Sequence, residues 1–217
     1  MRPVQALALG RFGQAVAAEL AAVLDGVTVR TGSLPTGEPL PDRAGFAAAR
    51  AVLVLAGRPV PAVTEEVDAR SHATATPWLP VLIEAGALRV GPMVVPGTSA
   101  CHRCFRRRLR QHAPARAVEA ALERHFTASG DDEPYGHLPG TAVLAATAAA
   151  DVLDLAAADP AAAGGQVRQQ DLASGRLTTG RVVGVHGCDR CGLHRDERTR
   201  STLDLQPALR EALRWTG

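Results

Sequence analysis

Apolar positions along this chain recur with two different periods, and the changes of period mark its elements. Val4–Gly10 (VQALALG) is a short, mostly apolar run closed by glycine, and it predicts a strand. RFGQAVAAELAAVLDG follows, with Phe12, Val16, Leu20 and Leu24 on one helical stripe and Gly26 as the stop. VTVRT (Val27–Thr31) predicts a second strand. Strand, glycine turn, helix and strand form a βαβ unit, which requires a parallel sheet. GSLPTGEPLPDR (Gly32–Arg43) is rich in Gly and Pro and predicts a loop. AGFAAAR predicts a short helix before AVLVLAG (Ala51–Gly57), whose unbroken apolar run suits a strand covered on both faces.

VPAVTEEVDARSHA predicts a helix, and WLPVLIEAG and ALRVGPMVVPG two further strands, which Pro80 and Pro92 would shorten or place at a sheet edge. A basic helix is expected after Cys104, running to about His112, and a second one, ARAVEAALERHF, after Pro114. TASGDDEPYGHLPG reads as a loop, and Thr141–Ala158 as a long helix opened by Gly140. GQVRQQDLASGRLTTGRVVGVHG alternates on both sides of ASGR, as a β-hairpin does. LDLQPALREALRW is a small terminal element. Without repeat or long linker, the expectation is a single α/β domain over residues 1–217. Residues 1–100 form its Rossmann-like half and residues 101–217 the half with the long helix and hairpin. The sheet is expected to be mainly parallel, with helices on both faces.

Composition narrows the partners. Hydrophobic residues make up 46% of the chain but aromatics only 3%, so close packing of alanine-rich helices and Val/Leu strands must build the core. The net charge of +2 is too mild to imply nucleic acid. All 24 basic residues are arginine, beside abundant alanine, which points to a GC-rich coding bias and devalues any single arginine as a signal. The most apolar stretch, Thr141–Ala158, carries Asp151 and Asp154 and is expected to be a buried helix rather than a membrane span. No secretory signal is legible. A cytoplasmic protein that binds neither nucleic acid nor membrane is expected.

The four cysteines fall into two Cys-x-x-Cys pairs, Cys101 with Cys104 and Cys188 with Cys191. In a reducing compartment such pairs suggest metal before disulfide. Two knuckles of this kind supply four thiolates for a closed, structural zinc site with no open position for chemistry. A pair of redox disulfides and four free buried thiols are the alternatives. His102, His186 and His194 flank the pairs and could replace a thiolate, or lie beside the site or in solvent.

ALGRFG (Ala8–Gly13) follows a strand and opens a helix, the setting of a dinucleotide-binding turn. Gly10 and Gly13 match its second and third glycines, whereas Ala8 replaces the first. Arg30 and Thr31 stand where an acid would hold a ribose. Gly10 and Gly13 are thus read as a vestigial nucleotide turn.

The order of these pieces resembles the ThiF-like, ubiquitin-activating-type adenylating proteins. The likeness rests on Ala8–Gly13, Cys101 with Cys104, HLPGTAVLAATAAADVLDL (His137–Leu155), and Cys188 with Cys191. VGPMVVPGTSACHRCFRRRL and DLASGRLTTGRVVGVHGCDRC look like the ThiF-like proteins of azole-modified peptide (bacteriocin) biosynthesis, the bacterial leader-peptide-binding partners of YcaO cyclodehydratases. The resemblance implies a Rossmann-like fold, structural Zn2+, a homodimer, and a YcaO-type cyclodehydratase and its precursor peptide as partners. Active members of the broad family bind Mg-ATP and carry an Asp-Asn pair after the strand matching Ala51–Leu55. Here Ala56, Gly57, Arg58 and Pro59 stand there. ATP is therefore not expected as a cofactor, no catalytic residue is assigned, and a non-adenylating scaffold is the leading expectation. Many proteins of that group begin with a winged-helix peptide-binding domain, whereas this sequence starts at the first strand. An active adenylating enzyme is the alternative, and a nicotinamide or flavin oxidoreductase a weaker one.

Three smaller features remain. RRRLRQHAPAR (Arg106–Arg116) reads as a solvated helix face, with docking of a partner as its functional alternative. GDDEP (Gly130–Pro134) reads as a solvated loop, and Ser99 has no legible His-Asp arrangement that would make it a nucleophile.

Overall fold

The computed structural model of this chain describes residues 2–32, 40, 42–84, 86–112, 121–122, 124–125 and 136–192. Most of the Gly32–Arg43 loop, ARAVEAALERHF and GDDEP, together with His194 and the terminal LDLQPALREALRW, lie outside the described residues.

Seven strands form one sheet in the order β2-β1-β3-β4-β5-β6-β7. They are β1 (Val4–Leu9), β2 (Val27–Gly32), β3 (Ala51–Ala56), β4 (Trp78–Glu84), β5 (Ala87–Val90), β6 (Gln166–Asp171) and β7 (Leu177–Arg181). The first four pair in parallel, and β4 to β7 continue as an antiparallel meander. The helices are α1 (Gly10–Val23), α2 (Arg43–Ala48), α3 (Pro61–Thr74), α4 (His102–His112), α5 (Pro139–Ala158) and the short α6 (Pro160–Ala163).

The α/β class, the βαβ start and the terminal hairpin are as expected. Val4, Ala6 and Ala8 of β1 pack on Phe12, Val16 and Leu20 of α1 and on Ala142, Ala145, Ala146 and Ala149 of α5. Leu7 and Leu9 point the other way, towards Phe46 of α2 and Val67 of α3. Both faces of the sheet are therefore covered, as the continuous apolar strands require. α5 is long and apolar enough to cross a membrane, with a mean hydropathy of 1.5. Here its alanine stripe lies against α1, where small side chains let the two backbones approach closely.

Two expectations need correction. Pro80 does not lie at an edge, because β4 is flanked by β3 and β5. The Pro80 carbonyl accepts from Gly91 N at 2.8 Å, and an N–H at Pro80 would answer to the Gly91 carbonyl. Arg89 Nη1 donates to that carbonyl instead, so the missing proline donor leaves no orphan acceptor. The basic helix also starts earlier than expected, at His102, so that Cys104 lies in its first turn.

Candidate metal centre

Cys101 ends the segment before α4, and Cys104 follows one turn into that helix. The second pair follows β7, in a turn where Gly187 takes φ +68° and Gly192 takes φ +47°. Cys188 N donates to Val185 O at 3.2 Å and Gly192 N to Cys188 O at 3.1 Å, which folds the pair back on itself. The four Sγ atoms all lie within 4.8 Å of one another. Cys101 Sγ is 3.7 Å from that of Cys104 and 3.6 Å from that of Cys188, and Cys104 and Cys191 are 3.6 Å apart.

These separations are far from the S–S bond of about 2.05 Å, and all four thiols are free. Four thiolates about 2.3 Å from a tetrahedral zinc would stand about 3.8 Å from one another. The donor set and spacing therefore fit zinc. Cys101, Cys104, Cys188 and Cys191 would hold it, and as a closed four-thiolate centre it would supply structure rather than an open coordination position. Burial pushes the Cys101 and Cys104 thiols up. Burial also raises Cys188, but hydrogen bonds from the backbone of Cys191 and Arg190 and from the neighbouring thiols outweigh it and bring that group down. A largely buried thiol cluster suits a dication, which neutralises the thiolates together.

The residues inside the two pairs hold the centre to α3. His102 N and Trp78 Nε1 both donate to Asp68 Oδ1 at 3.1 Å. Arg190 Nη1 donates to Asp68 Oδ2 at 3.3 Å and Arg190 Nη2 to Glu65 Oε1 at 2.7 Å. Arg103 donates to the same Glu65 oxygen at 2.6 Å and to Asp189 Oδ2 at 2.8 Å. Burial raises the Glu65 carboxyl, but Arg103 and Arg190 together hold it below its usual value. Sequence reasoning missed this network. The legible signal was the complementary make-up of the two x-x pairs, His102-Arg103 and Asp189-Arg190, which a discount on single arginines hid.

Neither described flanking histidine, His102 or His186, is part of the cluster. His102 is buried between Trp78 and Phe105, with ring centroids 5.2 and 5.6 Å away. Burial, then the charges of Arg89 and Arg106, hold it well below its usual range and therefore neutral. His186 is exposed. Ser99 is buried, and its Oγ accepts from Val95 N at 2.8 Å, which is the work of a turn residue.

The glycine turn lies elsewhere, between the carboxyl ends of β1 and β3, where the connections leave on opposite faces and α/β folds place ligands. Gly10 takes φ +71°. A Cβ on Gly13 would stand 2.3 Å from Leu55 O, so this glycine lets α1 press on the sheet. Just after β3, Arg58 is buried.

No family model matches the chain, and no curated protein matches it in sequence. Solved structures do match in fold. The heterocyclase TruD superposes with a TM-score of 0.59 at 19% identity, over 92% of this chain and 28% of its own. A heterocyclase in complex with substrate and cofactor gives the same score and identity over 26% of its length. The Escherichia coli microcin synthetase McbBCD complex gives 0.59 at 10% identity, over 87% of this chain and 67% of the matched one. The chain thus spans about a quarter of the heterocyclases it resembles. The fold of this chain is shared with these heterocyclase and microcin synthetase structures.

Proposed function

We propose that this protein is a non-adenylating, ThiF-like partner in the biosynthesis of ribosomally made, azole-modified peptides. It presents a precursor peptide to a YcaO-type cyclodehydratase and supports that enzyme without performing chemistry itself. In this reading one domain spans residues 1–217, zinc in the four-cysteine centre is structural, and the protein works in the bacterial cytoplasm as a homodimer.

One observation carries the reading. The residues after β3 are Ala56, Gly57, Arg58 and Pro59, and a buried arginine stands where active relatives of the resembled family would hold magnesium. With no carboxylate in this stretch, the bridging metal of Mg-ATP would lack a ligand there. Arg30 and Thr31 at the end of β2 offer no carboxylate for a ribose. The fold likeness to TruD and to the McbBCD complex supports the setting in peptide heterocyclisation.

A second reading, an active adenylating enzyme, draws on the glycine turn, where Gly10 takes φ +71° and Gly13 lets α1 press on the sheet. Calorimetric titration with Mg-ATP separates the two. The scaffold reading expects no binding, together with co-purification with a YcaO protein and its precursor peptide; tight Mg-ATP binding would replace it with adenylation.

A further inference from the structure

We propose that the outward face of α4 is a docking surface for an acidic peptide segment. The inference rests on the proposed role in presenting a peptide and says where such a peptide is held.

α4 reads HRCFRRRLRQH, with five arginines in eleven residues and no acid. On its inward side His102 and Cys104 are buried beside Cys101, which precedes the helix. Arg103, Arg107 and Arg110 follow at i, i+4 and i+7, which puts them along one stripe. Glu65 and Asp189 answer the first of these, and Asp189 lies 3.9 Å from Arg107. Arg107 and Arg110 are exposed, and Leu109, to one side of that stripe, is also exposed, with 37% of its surface open. The whole chain carries a net charge of only +2, so this helix concentrates its positive charge on one surface.

The surface suits acidic peptide rather than nucleic acid. Binding of a single strand needs a free aromatic face on which bases stack. The Phe105 ring of α4 lies beneath Arg89 at 4.7 Å and beside His102. Leu109 offers instead an exposed apolar contact beside the arginine stripe, which a peptide carrying both acidic and apolar side chains matches and a sugar-phosphate backbone does not. The helix is also held rigid for the task. Cys104 anchors its first turn, and Arg103 ties it to α3 and to the second cysteine pair.

The test is fluorescence anisotropy on the metal-loaded full chain with a short fluorescein-labelled peptide alternating Glu and Leu. Its Gln-for-Glu counterpart and a single-stranded DNA oligonucleotide serve as comparisons. The Glu peptide is expected to bind, to weaken as salt rises, and to lose roughly tenfold in affinity in R110E and more in R107E/R110E. Metal content and circular dichroism should match the parent; Arg110 alone is changed first because it lies far from the cysteines. Unchanged binding in both variants, equal binding of the Gln peptide, tighter binding of DNA, or no binding would each overturn the proposal. So would binding that appears only after Asp131→Asn, Asp132→Asn and Glu133→Gln, since the chain's own acidic stretch would then be the occupant. Mg-ATP titration reports separately on the scaffold reading: ATP binding would overturn that reading and leave the R110E result standing, and the reverse holds equally.

Discussion

Arg190 donates to Asp68 Oδ2 at 3.3 Å across 122 positions of the chain. Arg190 sits inside the second cysteine pair, whereas Asp68 is a fully buried acid on α3. The same carboxylate receives His102 N, from inside the first pair, and Trp78 Nε1 of β4. One buried acid therefore joins both cysteine knuckles to the central sheet.

Asp68→Ala is expected to cost about 3 kcal/mol or more, because it leaves an indole N–H, a backbone N–H and a partly buried guanidinium without their acceptor. Thermal unfolding measures the loss. Asp68→Asn keeps an acceptor for Trp78 and His102 and should fall between the two. Equal stability of Asp68→Ala and parent would show that the hub contributes nothing.

Zinc is expected at one ion per chain. Cys101→Ser and Cys188→Ser should each lose it, and a chelator should lower the melting temperature of the parent but not of either variant. Elemental analysis beside a thermal melt reads both. Affinity should fall as pH falls, because protons compete with the metal for the thiolates.

Glu84 pairs with Arg89 at 2.7 Å, and the arginine side chain is only 4% exposed. Burial raises the Glu84 carboxyl, but Arg89 outweighs it and holds the group below its ordinary 4.5. A lowered folded value means that the pair stabilises the protein fully above about pH 4.5 and that this contribution is lost as pH falls through the folded value. Glu84→Gln leaves a buried cation uncompensated and should cost about 3 kcal/mol at neutral pH. The difference between parent and variant should shrink in acid, which denaturant titration at several pH values would show.

Gly13→Ala forces a Cβ to 2.3 Å from Leu55 O and to 3.0 Å from the Ala8 carbonyl carbon. Backbone cannot swing aside as a side chain can, so α1 must lift from the sheet, at a cost of about 3 kcal/mol. Gly180→Ala on β7 meets nothing within 4 Å and should be neutral. Chemical denaturation of both variants tests the contrast.

The sequence by itself determined the parallel βαβ start, the two-faced burial of β3, the hairpin and the cysteine quartet. Each of these depends on local period or on paired spacing. Periodicity places Phe12, Val16 and Leu20 on one stripe whatever they face, and a knuckle is written within four residues. The tertiary structure decided what spans the chain. Pro80 reads as an edge residue because a proline lacks a donor; Arg89, nine positions on, supplies the donor that lets β4 lie inside the sheet. His102 reads as a spare ligand, yet Trp78, Phe105 and Asp68 converge to bury it. The arginines read as composition, and Arg103 and Arg190 became structural only when α3 brought Glu65 and Asp68 beneath them. Charge pairing depends on distance in space, which sequence spacing does not encode once partners lie more than a turn or two apart.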